Sequence, residues 1–507
     1  MNNSFSKRAK RGAFAEIGIL TCLLIATLGS EEPIRIGSRL ELLLDRHLVD
    51  RLSGGAELRL HRPVPREVSL VRDEPWEGNS SGYTTVFQDG SRYRMYYRGK
   101  QTTYTQGTIT VPHREVICYA ESRNGIQWVK PRLDLIEFEA SRANNIIWDG
   151  VGAHNFAPFK DDNPAAEGEG RYKAVGGKKR EGGLYAFQSP DGIHWSRMSE
   201  KPIITKGAFD SQNLAFWDRI RGEYRSYIRD FRDGRDIRTA TSKDFLHWSP
   251  PEFLSYSPSR ISELYTNQVI PYPRAPHLFL AFPTRYVDRG WSPSMEALPQ
   301  LDYRRIRSSK SQREGTVLTD GMFMSSRDGK IFQVWAESFI RPGLRAKDNW
   351  FYGDNYQNWG LVETRSEVEG APPELSFYVS ESSHQGESNR LRRFTLRIDG
   401  FVSLRAPAAG GELLTKPLIF QGEHLRINFS TSAAGSIRIE IQNQQGQPIS
   451  GFSLDQCPEI FGDSLEQTVS WTGGADLSSL AGKSVRLRFQ LRDADLYAFG
   501  FVEKPNR

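Results

Sequence analysis

The sequence has very few cysteines. Cys22, Cys118 and Cys457 are the only three in 507 residues, so the chain can form at most one disulfide bond. Their spacing matches neither a zinc site nor a redox Cys-x-x-Cys motif. A fold held by several disulfides and a cysteine-bound metal centre are therefore excluded, and we expect Cys118 and Cys457 to be buried free thiols.

Long hydrophobic runs are also missing after the first thirty residues, so no later segment is expected to cross a membrane. Near the start, basic residues between Lys7 and Arg11 precede an apolar run from about Ile17 to Leu28 and a small-residue exit. This order is typical of a signal peptide. We expect residues 1–32 to be removed, leaving a secreted or periplasmic protein with no membrane partner after cleavage. Retention of the segment as an uncleaved anchor is the alternative.

The chain has little net charge: 67 Lys and Arg face 61 Asp and Glu, a formal charge of +6. The basic residues are scattered and form no stripe, so a nucleic-acid partner is not expected. Long amphipathic helices are absent too. Between about residues 80 and 400, short runs rich in Tyr, Phe, Val and Ile alternate with turn clusters, a pattern that predicts an all-β fold.

A short sequence box recurs within this β-rich part. Its copies are Ser122 to Trp128, Ser189 to Trp195, Ser242 to Trp248 and, with drift, Ser326 to Phe332, with a degenerate fifth at Asp399 to Phe401. Asn-Gly and Asp-Gly favour the positive φ of a tight hairpin, and the aromatic residue three positions later can pack against the next unit. A spacing of roughly 50 to 85 residues suits four-stranded blades.

These repeats predict a five-bladed β-propeller over residues 40–405, against the alternative of chance hairpins in a β-sandwich. The strand-like segment Leu42–Val49 is expected to close the last blade and so remove its exposed edge. Beyond about Ala406 the box stops and alternating strands follow. Residues 406–507 are therefore predicted to form a separate antiparallel β-sandwich, an accessory domain.

Asparagine recurs at the start of the innermost strand in four of the five units. The aligned residues are Asn155, Asn213, Asn267 and, more loosely, Asn358, while Tyr83 begins the strand of the first unit. Because the inner strands of a propeller converge, the alignment predicts a polar ring at one mouth of the channel.

Acidic residues stand just before these asparagines. Asp210, Glu263 and Asp354 precede three of the inner strands, whereas the first two units offer Glu77 with Asn79 and then His154. Glycosidic cleavage needs one carboxylic acid to protonate the leaving oxygen and another to attack or activate water. Repulsion between neighbouring carboxylates would keep one of them protonated. We therefore predict Asp210, Glu263 and Asp354 as the catalytic carboxylates.

A wider set of residues is predicted to bind substrate: Glu77, Asn79, Tyr83, His154, Asn155, Asn213, Asn267, Asp320, Trp359 and Glu363. Trp76, Phe156, Tyr265 and Tyr356 are further aromatic candidates for stacking on sugars. Each acid has an alternative role as a turn or strand cap. For His154 the alternatives are a channel hydrogen-bond donor, a metal ligand or a structural residue. No cofactor and no metal site are expected.

At these residues the sequence resembles the five-bladed propeller glycosidases, the superfamily of invertases, levansucrases and arabinanases, and especially secreted bacterial glycosyl-hydrolase-like proteins. By position, the resemblance implies that Glu263 is the general acid and that Asp210 orients the sugar and tunes the acid. The first unit departs from the family pattern, since Trp76 to Asn79 replaces an Asp-containing motif. Asp354 or Glu77 would have to supply the missing base or nucleophile.

Two functions follow from this interpretation. The first is an exported glycoside hydrolase that acts on an oligo- or polysaccharide through carboxylates at the propeller mouth. The second is a non-catalytic glycan-binding propeller, which would tolerate amides where catalysis needs acids. The sequence leaves the sugar and the linkage open.

Overall fold

A computed structural model describes residues 32–260 and 262–503. Apart from Glu32, the predicted signal peptide lies outside the described residues, as does Cys22. Within the described ranges, no helix is long and apolar enough to cross a membrane. Cys118 and Cys457 are buried and free, as expected.

The structure is nearly all β, which confirms the predicted fold class. Three antiparallel sheets of four strands follow one another along the chain. The first contains Gly82–Asp89, Arg92–Gly99, Val116–Ser122 and Ile146–Asp149. The second contains Ala157–Lys160, Tyr172–Gly176, Tyr185–Ser189 and Ser196–Arg197, and the third Leu214–Asp218, Glu223–Phe231, Arg235–Ser242 and Glu252–Phe253.

A seven-stranded fourth sheet departs from this pattern. Its strands are Ser255–Ser257, Glu263–Leu264, Ile270–Tyr272, Ala275–Ala281, Thr284–Asp288, Val317–Ser326 and Ile331–Ile340. The fifth sheet again has four strands, Val362–Thr364, Glu374–Glu381, Asn389–Arg397 and Val64–Arg72. Contacts run from each sheet to the next, as where Phe339 of the fourth sheet packs against Phe377 of the fifth. A bridge between Thr85 and Trp359, which lies just before the fifth sheet, connects that sheet to the first. The arrangement is propeller-like, and the count of five blades stays a prediction.

The closing strand differs from the expected one. Val64–Arg72 pairs with Asn389–Arg397 and completes the fifth sheet. The segment Leu42–Val49 instead belongs to the C-terminal sheet, where Leu42 pairs with Ala498 and Val49 with Thr415. An N-terminal strand therefore does close the fifth sheet, but the prediction that this strand is Leu42–Val49 is wrong. Both segments have strand-like sequences, so the sequence pattern does not distinguish them. The chain enters the propeller-like part near residue 64, not near residue 40.

The C-terminal sheet has ten strands and its own hydrophobic core. They are Ile34–Gly37, Glu41–Leu42, Val49–Gly54, Glu57–Leu60, Val402–Ala406, Gly411–Thr415, Leu418–Phe420, His424–Gln442, Asp463–Thr468 and Ser484–Val502. The two 19-residue strands pair with each other along most of their length. The alternating pattern beyond residue 406 therefore predicted strands correctly.

The recurring box forms the tight turns that its sequence predicts. In the second copy, Ser189 Oγ accepts the backbone N–H of Gly192 at 2.8 Å, and Asp191 Oδ1 accepts that of His194 at 2.8 Å. Gly192 has a φ of 78°, and in the third copy Phe245 takes the same left-handed conformation at 72°.

The boxes also join neighbouring sheets. Tyr96 of the first sheet donates its hydroxyl hydrogen to the carbonyl of Gly192 and packs against Trp195. Tyr227 of the third sheet donates to the carbonyl of Gly329 in the fourth-sheet box. The aromatic packing between units expected from the sequence is therefore present.

Three short helices interrupt the fourth sheet: Pro293–Glu296, Leu301–Lys310 and Gln312–Thr316. The sequence pattern did not predict them because the side chains that Leu301–Lys310 buries are Arg304 and Arg307. Arg304 stacks over Phe351 at 3.6 Å and donates to the carbonyl of Trp350 at 2.7 Å. A helix anchored by arginines has no apolar stripe to reveal it.

Candidate functional site

The inner strands lead from one mouth of the channel to the other. At the end where these strands begin, a cavity of about 280 Å³ is lined by Tyr83, Tyr265, Tyr352 and Tyr356. We call this the tyrosine mouth. At the other end a cavity of about 400 Å³, the far mouth, has apolar walls that include Phe159, Trp217 and Trp359. Gln212 and Gln268, hydrogen-bonded at 2.7 Å, are buried between the two mouths.

A third cavity, of about 520 Å³, adjoins the tyrosine mouth and shares Lys100, His154 and Asp210 with it. Its other charged lining residues are Glu115, Lys178, Lys179, Arg180 and Asp230. We call this third space the basic cavity. The shared residues make the two cavities one continuous site.

Asp210 is the one predicted catalytic carboxylate that lines this site. Its side chain is 56% exposed and forms an ion pair with the buried guanidinium of Arg229. The backbone carbonyl of Asp210 accepts hydrogen bonds from the hydroxyls of Tyr83, at 3.0 Å, and Tyr265, at 3.3 Å. The tyrosines therefore hold the backbone of Asp210 at the mouth while its carboxylate faces the cavity.

Glu263 lies near the mouth but is not part of either cavity wall. Its Oε2 accepts the backbone N–H of Arg235 at 3.1 Å and Nη1 of the same residue at 2.7 Å. The Arg235 guanidinium in turn stacks over Tyr286 at 3.7 Å. Arg235 thus occupies Oε2 of Glu263, whose side chain is 36% exposed. The predicted role of Glu263 as general acid stays a prediction.

Asp354 is placed differently from the expectation. It is 2% exposed and lines neither cavity. Its two carboxylate oxygens accept the backbone N–H groups of Ser383, at 2.8 Å, and Phe351, at 3.3 Å. Burial raises the pKa of Asp354 to about 7, although these two hydrogen bonds oppose the shift. In this geometry Asp354 holds two loops together and does not act as the base or nucleophile.

Glu77 and Asn79 are also structural in this geometry. Glu77 is buried and accepts hydrogen bonds from Tyr97, at 2.5 Å, and Lys130, at 2.7 Å, while burial raises its pKa. The amide nitrogen of Asn79 donates to the carbonyls of Thr102 and Gly386. Neither side chain lines the tyrosine mouth.

The predicted polar ring of asparagines is not at the mouth. Asn155, Asn213 and Asn267 are fully buried. The Asn155 side chain donates to the carbonyls of Phe209 and Ser211 and accepts from the backbone of Gly177. A buried amide must satisfy its donors and acceptors, and here it does so with backbone groups of the neighbouring sheet. Asn155 and Asn267 connect neighbouring sheets, Asn213 binds backbone groups of its own sheet, and none of the three is accessible to a substrate in this geometry.

Three other predicted residues lie away from the tyrosine mouth. Asp320 forms a two-pronged ion pair with Arg285 on the adjacent strand of the fourth sheet. Trp359 and Glu363 line the far mouth, where the Trp359 ring nitrogen donates to the carbonyl of Val269 at 2.9 Å. By contrast, Tyr83, His154, Tyr265 and Tyr356 do line the tyrosine mouth, and their role in binding substrate stays a prediction.

A cluster of charged and polar side chains around Glu115 was not predicted from the sequence. Glu115 accepts hydrogen bonds from Lys100, at 2.8 Å, His154, at 2.9 Å, and Lys178, at 2.8 Å. Although burial alone would raise the pKa of Glu115, His154 and the surrounding cations hold it well below its usual range. Burial lowers the pKa of His154 to about 3, and the charge of Arg98 acts in the same direction. His154 is therefore a neutral ring beside a charged carboxylate.

The helical insertion contributes a second unpredicted group. Glu314 lines the tyrosine mouth, accepts a hydrogen bond from Tyr104 at 3.2 Å and lies 3.6 Å from the guanidinium of Arg307. Tyr104 comes from a hairpin, Thr103–Thr105 with Thr108–Thr110, inserted in the first sheet. This hairpin and the helices meet and cover one side of the mouth. Both insertions lie outside the repeat, so the repeat pattern carried no signal for them.

The described residues contain no group of three or more His, Cys, Asp or Glu side chains placed to hold a metal ion. In the structure, the His154 ring donates from Nδ1 to Glu115 at 2.9 Å, and the backbone carbonyl of His154 accepts from Arg98 at 3.3 Å.

Comparison with known proteins gives distant likenesses. No protein-family model matches the chain. Two curated proteins, both described as uncharacterised and from two strains of Mycobacterium tuberculosis, are 32% identical to it over 153 residues. That stretch is 29% of this chain and 44% of each relative, so the chain spans less than half the length of these relatives.

Several solved structures are similar over about two thirds of this chain. One is an N-acetylgalactosamine deacetylase from F. plautii in complex with blood group B trisaccharide, with a TM-score of 0.42, 12% identity and coverage of 68% of this chain and 96% of that one. A thermostable family-43 glycoside hydrolase has a TM-score of 0.39, 11% identity and coverage of 65% and 95%. The catalytic domain of a Coprinopsis cinerea GH62 alpha-L-arabinofuranosidase has a TM-score of 0.39 and 10% identity, and the match covers 66% of this chain and 97% of that one. At these TM-scores and identities the likenesses assign neither a function nor site residues to this chain.

Proposed function

We propose that the chain is an exported glycoside hydrolase whose glycan binds in the tyrosine mouth. The observation that carries the proposal is the joint lining of one cavity by four tyrosines and the carboxylates of Asp210 and Glu314. Aromatic rings offer apolar faces on which sugar rings stack, while carboxylates supply the acid-base or nucleophilic chemistry. The cavity of about 280 Å³ has room for a small part of a glycan at a time.

Within this proposal the two lining carboxylates have different surroundings. Glu314 lies close to the guanidinium groups of Arg307, at 3.6 Å, and Arg313, at 3.2 Å, so two positive charges face its carboxylate. This environment suits a base or nucleophile, which must be charged to act. Asp210 is more exposed and is the candidate for contact with the leaving oxygen or for orientation of the sugar.

One specific observation favours a second function, a non-catalytic glycan-binding propeller. The carboxylates that face the site have cationic partners: Asp210 pairs with Arg229, Glu314 with Arg313, and Glu115 with two lysines. General acid catalysis needs a carboxyl group that carries a proton, whereas binding by stacking and hydrogen bonding does not.

The test is to incubate the purified protein with a panel of polysaccharides and to measure released reducing ends. We expect release from at least one glycan, and Glu314→Gln should lower the rate by about 10² to 10⁴, the usual contribution of an acid-base group. Glu200→Gln is a matched control, because Glu200 is an exposed partner of Arg197 in the second sheet and lines neither cavity.

The outcomes separate the two functions. Binding of a glycan without release of reducing ends, under all conditions tried, would replace the hydrolase with the binding protein. If the protein neither binds nor cleaves any glycan of the panel, both functions fail. If Glu314→Gln keeps full activity, the hydrolase stands and the assignment of Glu314 is wrong.

A further inference from the structure

The basic cavity carries more positive charge than its own carboxylates can balance. Glu115 is shared by two lysines, Lys100 and Lys178, both at 2.8 Å, and Lys178 also lies 3.9 Å from Glu181. Asp210 pairs with Arg229, and Asp230 pairs with Arg238 at 2.5 Å. Each lining carboxylate thus already has a cation of its own or more than one.

Two further cations of this cavity have no such partner. Lys179 and Arg180 form an exposed turn at its edge. Across the described part of the chain, neither side chain makes an ion pair. Both therefore stand free at the entrance to a concave site, where opposed walls focus the field of their charges.

Arg98 adds a third cation, and this one is buried. It is 8% exposed, and its guanidinium donates to the backbone carbonyls of Ser80, at 2.8 Å, and His154, at 3.3 Å. It also stacks over the ring of Tyr83 at 4.6 Å. These contacts fix the position of Arg98 beside the tyrosine mouth without neutralising its charge.

The titration of neighbouring groups agrees with this surplus. Burial is the main cause of the low pKa of His154, about 3, and Arg98 and Lys178 disfavour a further positive charge there. The pKa of Lys100 is also lowered, first by burial and then by Arg98. A further positive charge is thus energetically unfavourable where the tyrosine mouth and the basic cavity meet.

We propose that the glycan bound at this site is anionic, and that its negatively charged substituent sits in the basic cavity while a sugar ring stacks in the tyrosine mouth. The proposal rests on the proposed glycan function and deepens it. The two cavities share Lys100, His154 and Asp210, so one substrate can occupy both. Sugars carry such a charge as a uronic acid carboxylate or as a sulfate ester. Both are anions that Lys and Arg bind through charge-assisted hydrogen bonds.

The experiment measures binding to matched pairs of glycans by calorimetry. Oligosaccharides of galacturonate, glucuronate and mannuronate are compared with their carboxyl-reduced neutral forms, and sulfated galactan oligosaccharides with their desulfated forms. We expect one charged member to bind at least about tenfold more tightly than its neutral partner at low salt. Because an ionic strength of 0.1 M shortens electrostatic range to about 10 Å, added salt should reduce this preference. The pair that shows it identifies the carboxylate or the sulfate as the source.

Charge-removing variants locate the effect in the basic cavity. The double substitution Lys179→Gln and Arg180→Gln should weaken binding of the charged glycan about three- to tenfold, as expected for two exposed charges. Binding of the neutral partner should not change. Lys201→Gln is the matched control, since Lys201 is an exposed lysine near the same sheet that lines neither cavity.

The failure of this inference differs from the failure of the proposed function. Equal binding of charged and neutral members would overturn the anionic substrate and leave the glycan function standing. Tighter binding of the neutral members would do the same. A protein that binds or cleaves no glycan, charged or neutral, would overturn both. An equal loss of affinity in Lys201→Gln and the double variant would remove the basic cavity from the explanation.

Discussion

Asp210 and Asp354 stand at matching places in the sequence, each just before the inner strand of a sheet, yet their surroundings are opposite. On the third sheet, Asp210 is exposed at the mouth and pairs with Arg229. On the fifth sheet, Asp354 is buried and accepts two backbone N–H groups. The same position in the repeat therefore supports a surface charge in one sheet and a loop anchor in another.

The difference comes from the loops that surround each residue. The turn at Phe351 to Asp354 folds over Thr319, whose hydroxyl donates to the carbonyl of Asp354 at 2.7 Å, and meets Ser383 of the fifth sheet. The tyrosine hydroxyls bind the backbone carbonyl of Asp210, whereas its carboxylate pairs with Arg229 and stays 56% exposed. Acidic residues at matching positions of the repeat therefore do not necessarily meet at one site, because the surrounding loops decide where each side chain lies.

The largest effect that tests this comparison is on the reaction rate. On a cleaved glycan, Asp210→Asn should reduce kcat by about 10² to 10⁴ if its carboxylate takes part in proton transfer. Asp354→Asn should leave kcat nearly unchanged in the fraction that is folded. Steady-state kinetics on both variants, corrected for folded protein by circular dichroism, decides between them. The reverse ranking would return the catalytic role to Asp354.

Stability should show the opposite ranking. Asp354→Ala leaves the amides of Ser383 and Phe351 buried without an acceptor, at a cost of roughly 1 to 3 kcal/mol for each. Asp210→Ala should change the free energy of unfolding far less, because the side chain is 56% exposed. Chemical denaturation of both variants measures the two values. Equal unfolding free energies would mean that Asp354 is not an anchor.

Asp354 should also make stability depend on pH. Its pKa rises from 3.8 to about 7 on folding, so the folded state holds the proton more tightly than the unfolded state. This stabilisation is complete below the unfolded pKa and is lost as pH rises toward the folded pKa. Between about pH 4 and 7, the wild-type protein should lose stability relative to Asp354→Asn, which cannot titrate. Thermal unfolding across that range measures the difference, and parallel curves would contradict it.

The smallest effect is expected at Glu263, between the two compared sheets. Since Glu263 lines neither cavity and is held by Arg235, Glu263→Gln should lower the rate less than tenfold. A good leaving group needs no protonation, so its cleavage should be unaffected. A loss of a hundredfold or more on a natural glycan, rescued by a good leaving group, would restore the general-acid role implied by the sequence.

Much of the fold was readable from the sequence because its signals are local. The box turns form within a few residues, since Ser189 and Asp191 each accept the backbone N–H of the residue three positions later. In three copies the aromatic residue that follows packs against a tyrosine of the neighbouring sheet: Trp128 on Tyr378, Trp195 on Tyr96 and Phe332 on Tyr227. The alternating strands after residue 406 are a similarly local signal.

Other features depended on choices that no local pattern contains. Leu42–Val49 and Val64–Arg72 are both strand-like, and only the competition between two sheet edges decided which one closes the fifth sheet. The aligned asparagines are polar in sequence, but nearby carbonyls of the adjoining sheet allow a residue such as Asn155 to be buried.

The sequence by itself determined an all-β chain of repeated hairpins with aromatic and acidic residues near the start of its inner strands. The tertiary structure alone decided which of those residues share a cavity. Arg98, Glu115, His154 and Lys178 come from separate segments of two sheets, and they meet only when these sheets pack side by side. Their charge is not a stripe along the chain, because it is assembled across strands. The physical reason is that burial and electrostatic potential depend on neighbours in space, which a spacing rule along the chain does not specify.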